Sequence, residues 1–228
     1  MLRRLLPTVA TIAAVAVFVT AGNWQRGRML QKEALAAQVA AAQAAPVAPL
    51  PAGAVDWTAW RFRDVEAPGR FDAARQFLVD NKVWQGRAGY HVVAPLLLDD
   101  GRAVLVDRGW VAAGRTRADV PVVPVPEGPV RVRGRLNVPP QGYVELAATA
   151  PERGVWQNLD PARFAAASGL PVLPVVIEAT AGAGDGLVRD WPRPDSGAHK
   201  HRIYMMQWYA FAAMAAGLWL WFAFRRRR

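Results

Sequence analysis

The stretch from Ile203 to Phe224, IYMMQWYAFAAMAAGLWLWFAF, carries no charged side chain and runs into four arginines, Arg225 to Arg228. A hydrocarbon core roughly 30 Å thick needs about 20 residues of helix, so this stretch predicts a transmembrane helix over 203–224. At the other end of the chain, Leu5 to Asn23 is also uncharged and consists mostly of Ala, Val, Leu, Ile and Thr. It predicts a second transmembrane helix over 5–23. A cleaved signal peptide is the rival reading there, because Val19-Thr20-Ala21 resembles a signal-peptidase site. Against that reading, the apolar run continues to Trp24 and Gln25, and Trp favours the membrane interface.

The net charge of +10 suggests a nucleic-acid partner until its location is considered. Arg3, Arg4, Arg26, Arg28, Lys32, Lys200, Arg202 and Arg225 to Arg228 all flank the two apolar segments. Taking these eleven from the 28 Lys and Arg leaves 17 against 18 Asp and Glu. The middle of the chain is therefore nearly neutral, and its basic character belongs to the membrane flanks, facing anionic lipid headgroups. Nucleic-acid binding needs a concentrated basic face, which is missing. The absence of cysteine removes thiolate metal sites, Cys nucleophiles and CxxC redox or copper-transfer chemistry.

Cytoplasmic flanks retain positive charge. Arg225 to Arg228 outweigh Lys200 and Arg202, which places the C-terminus inside. Two spans then place the N-terminus inside as well and export the middle of the chain. The expected location is a bacterial inner membrane, with the central domain in the periplasm.

After the first span, residues 24–45 read as a helical extension rich in Ala, Gln and Leu. Pro46, Pro49, Pro51 and Gly53 break it into a Pro/Ala linker over 46–56. Residues 57–195 read as a β-rich antiparallel domain, an open sheet or partly closed barrel, with one short helix packed on it. Val130 to Leu136 alternates apolar residues with arginines. Leu96-Leu97-Leu98 and Ala103 to Val106 flank Asp99-Asp100-Gly101-Arg102, a hairpin turn. Phe77 to Val83, Tyr90 to Ala94 and Leu173 to Ala179 are further strand candidates. Asp160, Pro161 and Gly169 mark the cap, first turn and end of the helix. The frequency of proline argues against a long regular sheet. The fold class expected is thus α+β, with two terminal membrane helices and an exported β-rich domain.

Candidate enzyme chemistry is sparse. The chain has three histidines, His91, His199 and His201, and two serines, Ser168 and Ser196. Neither serine lies in a Gly-x-Ser-x-Gly turn, and no Gly-rich phosphate loop follows a strand. Asp99-Asp100 belongs to a turn, and His91 reads as a satisfied structural residue on a strand.

The membrane boundaries are more informative. His201, Tyr204, Trp208 and Phe211 recur at spacings of three, four and three, which places them on one helix face beside Gln207. Gln25, Arg28 and Lys32 share a face of the first helix, next to Trp24. Two antiparallel helices would bring these clusters to one level, with Ala10, Ala14, Ala212 and Ala216 permitting close packing. One explanation is an interfacial belt of aromatic rings and snorkelling cations. The other is a haem site, with imidazole as axial iron ligand, aromatic rings against the macrocycle, and Arg or Lys paired with propionates.

These segments resemble the Surfeit locus protein 1 family, assembly factors for haem-copper cytochrome c oxidase. Gly22-Asn23-Trp24-Gln25-Arg26-Gly27-Arg28, with Lys32 beyond, is similar to the family's signature at the first span. Gly89-Tyr90-His91-Val92-Val93-Ala94-Pro95 is similar to its Val-Val-x-Pro strand. Val104 to Val111 resembles its apolar strand followed by Arg-Gly-Trp-Val, with Arg117 beyond. His201 to Tyr209 resembles the His-x-x-Tyr-x-x-Gln-Trp opening of its second span. The resemblance implies a non-enzymatic role in building oxidase subunit I, through transient binding and delivery of haem a. His201 occupies the position of the proposed iron ligand, and Tyr204, Gln207, Trp208, Trp24, Gln25, Arg28 and Lys32 surround it. The implied partners are subunit I and the haem a synthesis machinery. Arg108, Gly109 and Trp110 are the candidate partner-binding residues of the exported domain, against the alternative of a core tryptophan beside a surface ion pair. A scaffold without haem contact, a membrane-anchored exported enzyme and a copper carrier are the competing functions, the last disfavoured by the lack of thiolates.

Overall fold

The computed structural model describes residues 2–116, 119–139, 154–182, 184–191 and 197–225, with side chains from Leu5 onward. Arg117, Ser196, Arg226 to Arg228 and the side chains of Arg3 and Arg4 lie outside what it describes. The chain divides into two compact units, residues 1–40 with 193–228, and residues 41–192.

The first unit is a helix pair. Helix α1 covers Leu2–Ala44, with Pro7 in its first turns. Pro7 is the sixth helical residue, past the N–H groups that lack an intrahelical partner, so it removes one bond from the helix ladder. Leu6 at 77%, Val9 at 57%, Ile12 at 64% and Val17 at 62% exposure give α1 an open apolar surface. Among the described residues, α1 is the one helix long and apolar enough to cross a membrane, over Leu5–Ala44. The C-terminal segment forms a 28-residue helix, Ala198–Arg225 (α4 below). It falls short of that measure, a correction to the expectation of a second transmembrane helix over 203–224. Its three Trp and two Tyr rank as weakly polar in hydropathy, and His199, Lys200, His201 and Arg202 open it with charged or ionisable groups.

The second unit is β-rich. In chain order it holds β1 (Ala48–Pro49), α2 (Trp57–Trp60), β2 (Asp64–Phe71), β3 (Phe77–Trp84), β4 (Arg87–Leu97), β5 (Ala103–Ala112), β6 (Pro129–Asn137), β7 (Val155–Trp156), α3 (Pro161–Ser168) and β8 (Val172–Ala179). The sheet order is β1-β2-β6-β8-β5-β4-β3-β7, and β2 also pairs with β4 through Arg70 and Phe71. That pairing closes β2, β6, β8, β5 and β4 into a ring, which leaves few free strand edges. A purely antiparallel sheet is not what forms: β8 runs parallel to β5. Parallel neighbours require a long crossover, and the chain between them includes β6, β7 and α3.

Proline also proves a poor guide to this sheet. Pro68 lies inside β2, Pro95 inside β4 and Pro174 inside β8. In β2, Pro68 and Gly69 mask a strand that pairs with β6 from Asp64 to Arg70. Gly69 is needed because an added Cβ would collide with the Leu97 carbonyl where β2 meets β4. Within the Pro/Ala stretch, β1 adds to β2 in parallel.

Other local signals translate directly. The hairpin between β4 and β5 turns at Gly101, with φ of +84°. The Asp160 carboxylate caps α3 by accepting from the N–H groups of Ala162 and Arg163, and Gly169 ends the helix at φ +72°. The ring of strands encloses Val65, Leu96, Val104, Val106, Leu136 and Ile177. A second cluster of Phe77, Val79, Val93, Leu105 and Val176 takes Phe164 of α3 against it, with the Phe77 and Phe164 rings 5.1 Å apart. The arginine face of β6 is only partly a surface. Arg131 is exposed and pairs with Glu66, whereas Arg135 is buried and pairs with Glu178 at 2.5 Å.

Strand β5 carries a bulge. Asp107 sits opposite Val93 and Gly109 opposite Val92, so Arg108 is an inserted residue. Gly109 adopts φ of +140°, and a Cβ there would lie 2.8 Å from the Val188 carbonyl oxygen. Trp110 continues past the bulge by exchanging backbone hydrogen bonds with Val188 at 2.7 and 2.9 Å. Gly109→Ala is expected to destabilise the chain by about 1–3 kcal/mol, read as a lower denaturation midpoint in detergent; an unchanged midpoint would contradict this account of the bulge.

Candidate functional site

The polar residues at the end of α4 that opens at Ala198 meet α1 side by side. His201 Nδ1 lies 2.7 Å from the Gln25 side-chain oxygen. With the amide oxygen as acceptor, the contact suits the tautomer that carries its proton on Nδ1. One step along α4, Arg202 donates to Glu33 at 2.6 Å. Further in, the Tyr209 hydroxyl donates to Asn23 at 2.8 Å. Gly22 is buried under the Tyr209 ring, where an added Cβ would come within 2.5 Å of Cε1. Phe18 then packs against Trp208 and Phe211, each at 5.8 Å between ring centroids. Toward the opposite end of the pair, Trp219 Nε1 donates to the Thr8 hydroxyl at 3.1 Å.

These contacts fix an antiparallel register, and they sort the candidate residues. His201 and Gln25 come together, and Trp208 turns into the seam against Phe18. Trp24 and Tyr204 are 61% and 53% exposed, and Gln207 is exposed as well. Arg28 is exposed and hydrogen-bonded only to Gln31, at 3.2 Å, while Lys32 is half-buried. Of the small residues, Gly22 makes the close approach; Ala212 is buried and Ala14 and Ala216 partly so, but Ala10 is exposed. The pairs Tyr209–Asn23 and Arg202–Glu33 were not singled out from sequence. Arg202 holds a cross-helix ion pair. A signal existed: Glu33 is the one acidic residue before Asp56, and an isolated acid among apolar and basic neighbours calls for a cationic partner.

In the β unit, Arg108, Gly109 and Trp110 belong to the bulge. Arg108 is 3% exposed, donates to Gln76 at 2.6 Å and reaches Asp185 at 3.5 Å, with Phe71 beneath its guanidinium. Asp185 also pairs with Arg189. The ion pair beside the tryptophan is therefore interior, not a surface pair. Trp110 is buried, donates from Nε1 to the Lys82 carbonyl at 3.2 Å and packs against Trp84. Gly89 of β4 leaves room for its ring. The β4 and β5 motifs thus meet each other.

His91 Nδ1 contacts Asp107 at 2.7 Å, and Trp191 stands edge-on to the imidazole. Burial pushes the Asp107 carboxyl above the usual carboxylate range, against the opposing hydrogen bond from His91. Burial also raises Glu178, opposed by the charge and hydrogen bond of Arg135.

The profile of the SURF1 family matches residues 12–213, which takes in most of α1, the whole β unit and the seam of α4. The chain belongs to the SURF1 family. A SURF1-like protein of Monosiga brevicollis is 28% identical over 220 residues, 91% of this chain and 82% of that relative. The segments that carry the family likeness in this SURF1 protein fall into two physical groups. Those from α1 and α4 build the His201 seam, and those from β4 and β5 build the bulge.

A carboxyl whose folded pKa is raised contributes stability below its unfolded pKa, and loses it as pH rises through the folded value. Asp107→Asn removes that titration. Wild type is therefore expected to lose stability relative to Asp107→Asn as pH rises from about 4, the ordinary range of a free Asp, in denaturation curves recorded across pH 4–8. A wild type that gains stability on the variant over that range would contradict the burial argument.

Proposed function

We propose that this protein is an assembly factor for haem-copper cytochrome c oxidase that binds haem a transiently and delivers it to subunit I. The observation that supports the reading is the contact between His201 Nδ1 and Gln25, which turns Nε2 away from that bond. An oxygen accepting from Nδ1 orients an imidazole and raises its basicity toward a metal. The other candidate residues fit the same cargo. Trp24 and Tyr204 offer exposed rings for a flat macrocycle. Arg28 and Lys32 lie one and two turns along α1 from Gln25, within about 10 Å of helix rise, as cations for propionates. The haem would bring the iron; this chain's residues would hold and orient it.

On this reading α4 spans the membrane beside α1. Leu218, Leu220, Trp221 and Phe222 remain about half exposed after the helices pair, a surface that calls for lipid. Arg225 lies over the Trp221 ring at 5.0 Å, a cation and an aromatic together at the helix end. Both termini are then cytoplasmic, in a bacterial inner membrane, and the β unit faces the periplasm. The protein acts without catalysing a reaction of its own. Its partners are subunit I and the haem a synthesis machinery.

A scaffold that steadies an oxidase intermediate without touching haem is the second reading, favoured by the way Gln25 and Asn23 tie the helices whether or not iron is bound. The visible spectrum of the full chain, purified in detergent from cells making haem a, separates them. Haem a absorbance that is lost or shifted in His201→Ala is the expected result. A colourless protein that still co-purifies with subunit I would replace haem delivery with the scaffold.

A further inference from the structure

We propose that the β unit holds one exchangeable proton in a buried row of charges across its sheet, and that losing this proton loosens the segment covering the row. The proposal is independent of the haem reading. Strand register builds the row. Glu178 of β8 stands opposite Arg135 of β6 on one side and opposite Asp107 of β5 on the other. The Asp107 carboxylate then meets His91 of β4 at 2.7 Å. These four side chains form one line across the neighbouring strands β6, β8, β5 and β4. Two residues earlier in β5 and β8, and two later in β4, the same face carries Leu105, Val176 and Val93, the apolar cluster under Phe164 of α3. One flank of the row is therefore dry.

The charges in the row do not cancel. Asp107 and Glu178 bring two negative charges when ionised, and Arg135 brings one positive charge. Side-chain exposure is 5% for Asp107, 12% for Glu178 and 11% for Arg135, and His91 forms the more open end at 20%. A buried charge without a counter-charge is strongly destabilising, so the closed row keeps one proton, on the imidazole or on a carboxyl. Burial, which raises both carboxyls, acts in the same direction. The surrounding charges do not replace that proton. Lys82 of β3 acts on Asp107 from a half-buried position without an ion pair among the described residues. Asp64 of β2 lies across from Arg135 and adds negative charge. On the covering segment, Arg189 is paired with Asp185, and Asp190 accepts from the Trp84 indole at 3.1 Å. Arg163 of α3 lies over the Trp156 ring.

Trp191 is the cover. Its ring stands edge-on to His91 at 5.3 Å, and its Nε1 donates to the Ala179 carbonyl at 2.7 Å. It thus reaches from β4 to the residue that follows Glu178. Without the proton, two carboxylates face one guanidinium, and hydrating them requires Trp191 to move aside. Trp191 is also on the way out of the β unit, seven residues ahead of Ala198, where α4 begins. Titration of the row therefore slackens the link leading to the helix that carries His201.

Hydrogen exchange of the 187–191 amides, measured on the full chain in detergent and corrected for intrinsic rates, tests this. Protection is expected to fall as pH rises from about 4, the range of a free carboxyl, by up to about tenfold per unit. It levels off once the closed row has given up its proton. Glu178→Gln leaves Asp107 matched by Arg135, and Asp107→Asn leaves Glu178 so matched; each is expected to flatten the dependence. Protection that ignores pH in the parent chain, or falls as steeply in both variants, would overturn the proposal. So would a fall of equal size at the Val132 and Leu136 amides, which report the sheet as a whole.

Discussion

The contact on which the candidate site depends is the short seam where α4 lies against α1 from His201 to Tyr209. In lipid there is no hydrophobic force between two apolar helices, and association rests on close packing and hydrogen bonds. Gly22 provides the first by letting the Tyr209 ring lie on bare backbone. Asn23, Gln25 and Glu33 provide the second through Tyr209, His201 and Arg202. Each polar group occupied in this way is spared an unpaired existence near hydrocarbon, where the penalty is several kcal/mol. The same arrangement holds the His201 ring in place, since the bond to Gln25 ties it to α1.

The β unit solves a different problem, that of making one irregular strand stable. Inserting Arg108 into β5 turns its side chain and its neighbours out of the regular alternation. Gly109 supplies the backbone conformation, Val188 the hydrogen bonds on the edge where pairing with β8 ends at Asp107, and Gly89 the space for Trp110. Arg108 is satisfied by Gln76 and Asp185, and Asp107 by His91. Buried charges without such partners would be strongly destabilising. The Arg-Gly-Trp sequence is thus explained by what the bulge needs, and its side chains are engaged inside the unit.

Much of this was legible because local physics decides it. The φ of Gly101, the cap at Asp160 and the alternation in Val130 to Leu136 each depend on near neighbours, and each forms as its residues suggest. What could not be read depends on partners far along the chain. Strand β2 contains Pro68 and Gly69, and only its closure against β4 makes them sensible. The parallel pairing of β8 with β5 follows from a crossover that no window of sequence displays. At the helix seam, spacing placed His201 and Gln25 at one level. Register decided that Tyr204 and Gln207 face outward while Asn23, Glu33, Arg202 and Tyr209 do the tying. The C-terminal helix shows the remaining weakness: its 28 residues are long enough to span, but its Trp and Tyr lower its hydropathy below that of a spanning helix.

The most direct test of the seam uses the chain's lack of cysteine. Gly22→Cys with Tyr209→Cys in one full-length chain, in membranes, is treated with an oxidant or a short thiol crosslinker, beside Trp24→Cys with Tyr204→Cys. The account predicts an efficient intramolecular crosslink for the first pair and little for the second, whose parent side chains point away from the seam. Efficient linkage of the second pair in place of the first would mean that α1 and α4 meet in another register, and the His201 site would fall with it.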